Sequence, residues 1–136
     1  SICDCSMDKN LMNISKIETF FNALLDNKVS DNTFFSDLPP AIKQEWNDMV
    51  VVDFPNTISD LDACGQGTVL IWLYAKPMSN GTKNVPVLSS MESKLNECIS
   101  SSKDAHYIIN RRGEYADYDD QRNLHCNIVE LNLIII

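Results

Sequence analysis

The chain first becomes periodic over residues 13–28, where Ile14, Ile17, Phe20, Phe21, Leu24 and Leu25 recur at intervals of three and four and draw one apolar stripe along a helix. Ser15 and Glu18 stand at capping-box spacing near its start. The Ser/Asp/Asn-rich stretch 29–38 reads as a connection tied to the core by Phe34 and Phe35. Pro39-Pro40 then fits the opening turn of a short helix running to about Asn47. Residues 49–53 are short, β-branched and halted by Phe54-Pro55, which predicts a strand. After a polar, acidic loop over 56–67, residues 68–75 are almost unbroken in apolar character, as a central strand covered on both faces requires. Gly65 and Gly67 mark a sharp turn into that strand, and Lys76-Pro77 ends it.

Residues 84–101 carry the cleanest helical signal. Leu88, Met91, Leu95, Cys98 and Ile99 fall on one face and Pro86 sits near the first turn. A strand over 105–110, a turn or bulge at Arg111-Arg112-Gly113, a polar crossing over 114–123 and a last strand over 124–136 complete the chain. The last strand holds a conflict of parity: Leu124, Cys126 and Ile128 share one face, while Leu131, Leu133 and Ile135 share the other. A one-residue bulge near Val129-Glu130 resolves it, and so does a central strand with both faces partly covered. The order α-(α)-β-β-α-β-β predicts an α+β domain, a mainly antiparallel sheet with amphipathic helices packed on it. Residues 1–12 read as a flexible leader, and 13–136 as a single domain.

Composition narrows the function classes. With 136 residues, 44% of them hydrophobic and 22% charged, the chain is suited to one folded core and not to disorder. Eleven Lys+Arg against 19 Asp+Glu leave a net charge of −8, which disfavours sequence-independent binding to the outside of a DNA duplex. No apolar run reaches the ~20 residues that cross a bilayer, so no membrane partner is expected. Cys3, Cys5, Cys64, Cys98 and Cys126 include no C-x-x-C pair, and His106 and His125 lie far from Cys3 and Cys5 in sequence. No organised four-ligand zinc set follows, and reduced thiols fit best.

Candidate chemistry centres on Asp117, Asp119 and Asp120, beside Tyr115 and Tyr118, with His106 or His125 as a proton carrier. Three carboxylates in four positions can hold a divalent cation. The run lacks the glycine and ligand alternation of a calcium loop, however, and Arg111, Arg112 and Arg122 flank it. A solvated connection is the simpler account. No nucleophile elbow, phosphate loop or dinucleotide fingerprint occurs, so the expectation is a protein without catalytic residues, metal or cofactor.

The order of segments resembles the tail-terminator and tail-completion proteins of long-tailed bacteriophages, of the lambda minor tail protein U type, or a related neck or connector ring protein. The likeness lies in the leading amphipathic helix, the approach through Phe54-Pro55 to an acidic loop, and the strand closing with Tyr74-Ala75-Lys76-Pro77. It continues through the helix around Met91-Glu92-Ser93, the region from Gly113 to Asp120, and the aliphatic last strand. Such a resemblance implies a non-enzymatic virion protein, made in the bacterial host cytoplasm and placed in the tail or neck. It further implies a homo-oligomeric ring, generally of six, that ends the tail tube and joins the tube to neck proteins, with DNA passing through unbound. A ring needs two matching surfaces on each subunit. Asp60 and Asp62 in the acidic loop and Arg111, Arg112 and Arg122 on the opposite flank carry complementary charge and are the candidate interface. The rival reading is an acidic protein-binding module of a bacterial host, and a third is a metal-dependent hydrolase using the acidic loop.

Overall fold

The structure, a computed structural model, describes residues 14–55 and 65–136. Helix α1 (Ile14–Leu25) buries Ile17, Phe21 and Leu25, the stripe its periodicity predicts. Ser15 lies in its first turn, and its carbonyl accepts the Thr19 hydroxyl at 2.9 Å. The helix ends at Leu25 in a turn closed by the Lys28 N–H to Leu25 carbonyl bond at 3.0 Å, in which Asn27, with φ at 52°, takes the left-handed conformation that asparagine tolerates. Helix α2 (Val85–Ser101) is capped by Asn84, whose side chain accepts the Val87 N–H at 3.3 Å, and Pro86 occupies its first turn. Leu88, Met91, Leu95 and Cys98 are buried and Ile99 is half-buried. Among the described residues no helix is long and apolar enough to cross a membrane.

One five-stranded sheet joins β1 (Thr33–Phe35), β2 (Asp48–Asp53), β3 (Gln66–Ala75), β4 (Tyr107–Asp119) and β5 (Leu124–Ile135) in the order β1-β2-β3-β5-β4. Only the β1–β2 pair is parallel. The class is therefore α+β, as the pattern of elements predicts. Gly65, with φ at 68°, makes the turn into β3.

Both helices pack on one face of the sheet, over Val50 and Val52 of β2, Val69, Ile71 and Leu73 of β3, and Val129, Leu131, Leu133 and Ile135 of β5. The other face carries a smaller core of Met49, Val51, Tyr74, Leu124, Cys126 and Ile128, closed by Leu38, Phe34, Ile42 and Trp46. Trp72 and Tyr74 stack at 6.0 Å on this second face, opposite α2.

Three expectations are corrected. No helix forms over 40–47: the segment instead lies under the sheet, turning through the Trp46 N–H to Lys43 carbonyl bond at 3.1 Å, with Phe34 and Trp46 rings 5.2 Å apart. A helix so short has little stability of its own, and the ammonium of Lys76 captures the Lys43 and Gln44 carbonyls at 3.2 and 2.7 Å. Residues 33–35 form a strand instead of an irregular connection, with Phe34 and Phe35 turned to opposite faces of the sheet. Residues 114–119 continue β4 as a strand and do not form a loop.

The parity conflict is resolved by coverage. β5 runs in unbroken register with β3 from Gln66↔Ile134 to Ala75↔His125, so it holds no bulge. Its buried positions change face between Ile128 and Val129 because the 36–47 segment covers one end of the second face and the helices cover the first. The bulge belongs to β4, at Arg112, opposite Glu130 and Leu131. The proposed leader and the acidic pair Asp60 and Asp62 lie outside the described residues.

Candidate interaction surface

β4 forms one flank of the sheet, and among the described residues no further strand pairs with its outer edge over 108–119. Apart from Tyr107, its residues are exposed or half-buried. Ile108, Tyr115 and Tyr118 are exposed large hydrophobic side chains on it, and Arg112 projects with 56% of its side chain exposed.

Alternation along β4 separates the two neighbouring arginines. Arg111 turns to the helix face, where its guanidinium donates to Asn96 at 2.5 Å, Glu92 at 3.3 Å and Glu114 at 3.0 Å, tying β4 to α2. Arg112 falls on the second face, with its Nε 3.9 Å from the Glu130 carboxylate. Of the basic candidates, Arg112 is thus the one offered outward. Arg122 serves the β4–β5 turn, donating to Asp119 at 2.9 Å.

Two of the acidic candidates, Asp117 and Asp119, are occupied with local structure. Asp119 accepts the Gln121 and Arg122 backbone N–H groups at 3.1 Å as well as the Arg122 guanidinium. Slight burial pushes its pKa up, but these bonds outweigh burial and hold it below the usual carboxylate range. Arg122 is raised correspondingly, chiefly by its bond to Asp119. Asp117 accepts the Tyr118 backbone N–H at 2.8 Å, and the Tyr118 hydroxyl donates to Asn123 at 2.6 Å. Among the described residues no group of three or more His, Cys, Asp or Glu could hold a metal ion.

The two histidines do not meet. The His125 and Tyr118 rings meet at a tilt with centroids 4.6 Å apart, whereas His106 precedes β4 and faces the Ile136 carbonyl at 3.3 Å. The antiparallel hairpin puts them about the length of β5 apart, roughly 35 Å at ~3.3 Å per residue. Cys98 and Cys126 are free and buried, and Cys64 lies outside the described residues. Burial, then the carboxylate of Asp117, pushes the Cys126 thiol up to about 11, and burial raises Cys98. Tyr74, register partner of Cys126, is also raised, first by burial and then by Cys126, Asp37 and Asp119.

Sequence reasoning missed a carboxylate near the covered end of the second face. Asp53 is raised by burial and then by Asp37, while the Phe54 N–H works in the opposite direction. For a carboxyl whose folded pKa exceeds its unfolded one, stability falls as pH rises from the unfolded toward the folded value, and a constant cost persists above both. Asp53→Asn keeps the acceptor for Phe54 and is expected to stabilise the protein at pH 7 by about 0.5 kcal/mol or less, since the site is partly solvated. Urea titrations of both forms should show that gain shrink through about pH 4 and vanish below about pH 3, where the wild-type carboxyl is neutral in either state.

No family model matches the chain, and no curated protein matches it either.

Proposed function

We propose that this protein is a structural subunit of a phage or prophage tail, which closes into a homo-oligomeric ring at the end of the tail tube and contributes to the head–tail junction without catalysing a reaction. The observation that carries the reading is the flank of the sheet. β4 offers 13 residues with an outward-facing guanidinium, Arg112, and exposed Tyr115. Such an arrangement makes contacts, and the segments that resemble tail-terminator proteins map onto the sheet and the helix behind it.

A closed ring needs a second, different surface on the same chain. The acidic segment bearing Asp60 and Asp62 supplies the opposite charge to Arg112, with Arg111 and Arg122 fixing the shape of the basic flank from within. Charge pairing of this kind sets register and approach more than affinity. A net charge of −8 also suits a lumen through which DNA slides, since acidic walls repel phosphates.

Electron microscopy of concentrated protein, together with mass measurement and binding to purified tail tubes, tests the reading. Rings are expected, and Arg112→Glu is expected to abolish them with a change in stability within about 0.5 kcal/mol, the range of surface substitutions. Rings should also weaken as salt shortens the Debye length below ~8–10 Å. Protein that forms no ring at any concentration or salt and does not cap tubes overturns this account, leaving the host protein-binding module as the better one.

A further inference from the structure

The order of charges along β4 is uneven in a way that bears on what can pair with it. Arg111 and Arg112 occupy its first half, while Glu114, Asp117 and Asp119 occupy its second. Charges and a bulge on an edge strand ordinarily keep stray strands away. A parallel copy of β4 would set like charges side by side, whereas an antiparallel copy sets the basic half of each strand against the acidic half of the other. The edge is closed to most strands and open to one.

We infer that two copies of this protein pair through their β4 edges, antiparallel and about a two-fold axis, to give a continuous ten-stranded sheet. The bulge limits the register. Ahead of it, Ile109 and Arg111 share the helix face and Ile108 and Asn110 the second face; beyond it, Glu114, Ala116 and Tyr118 lie on the helix face and Tyr115, Asp117 and Asp119 on the second. Side chains match face to face when the axis falls between Gly113 and Glu114. Arg112 of each copy then lies opposite Tyr115 of the other and diagonal to its Asp117, a distance that long side chains span. Ile109 meets Tyr118 on the helix face. Gly113 is the residue whose face the bulge would mismatch, and it has no side chain to misplace; a methyl group there would meet nothing within 4 Å.

This contact does not rest on the ring reading, because an isologous two-fold pair closes on itself and cannot propagate around a ring. The two contacts also compete, since both use Arg112. The dimer is therefore the form of the dilute protein, and it must open for rings to replace it as concentration rises.

Charge exchange separates the possibilities. Arg112→Glu and Asp117→Arg should each weaken dimerisation about tenfold in sedimentation equilibrium, since each change repeats twice across the axis. The double variant R112E/D117R should recover it. D117R leaves the proposed ring surface intact, whereas R112E/D117R restores the dimer without restoring Arg112 to the ring, so failure of one reading is distinguishable from failure of the other. Hydrogen exchange should show concentration-dependent protection of alternate amides over 108–119. A wild-type monomer at all concentrations, a dimer that leaves those amides unprotected, or a double variant as weak as the single ones overturns the inference.

Discussion

Replacing Leu95 with alanine is expected to destabilise the fold by about 2–5 kcal/mol, measured by urea or thermal unfolding. Leu95 is fully buried midway along α2, among the residues that the helix presses onto the sheet. Truncation removes the transfer energy of three carbons and leaves a cavity between two rigid elements that cannot easily close over it. The neighbouring Asn96 makes the internal control. It is exposed, and its side chain accepts a bond from Arg111, so Asn96→Ala should cost well under the Leu95 change. Equal losses at the two positions would mean that α2 presents a different face to the sheet.

The second large effect concerns the adjacent pair Ile128 and Val129. In a strand with one covered face, neighbours alternate between tolerance and intolerance of charge. Here Val129 has no exposed surface and lies in the helix-side core, while Ile128 is 3% exposed in the core closed by Leu38 and Trp46. Ile128→Asp and Val129→Asp should therefore each cost at least about 3–5 kcal/mol, the penalty of a buried charge without a partner, and leave mostly unfolded protein. Circular dichroism and solubility of the two variants would check this. A folded Ile128→Asp would show that the second face is open at this point, and that the 36–47 segment does not seal it.

Much of the architecture was legible because the signals were long. The stripes of α1 and α2 and the continuous apolar run of β3 each predict an element close to the one that forms. What escaped depends on neighbours. β1 is three residues long, and its strand conformation comes from pairing with β2 and from Ser30, which is buried and bonds to the Asp48 carboxylate and carbonyl. The 114–119 stretch looks like a loop since its residues are polar, yet an edge strand exposed along its outer side has little need of apolar alternation. The charged candidates were legible as residues but not as roles. Alternation from Tyr107 and Ile109 puts Arg111 on the face that α2 covers and Arg112 on the other, but that assignment can be made only once residues 107–112 are known to run as one strand and the bulge to follow it.

The insertion of β5 between β3 and β4 dictates an order of events during synthesis. Sequence neighbours β3 and β4 never pair, so β3 waits, with α2 and β4 already made, for a strand that emerges about fifty residues after it. Until then the most apolar strand of the sheet has one bare edge, and β4 has no partner at all. A nascent chain in that state is prone to wrong pairing, most of all with other copies on the same message. Ribosome-bound chains stopped before Leu124 should accordingly engage chaperones more strongly than chains that have released β5. The outer flank of β4 takes shape in the same step that completes the core, so no contact through that flank can precede a finished fold.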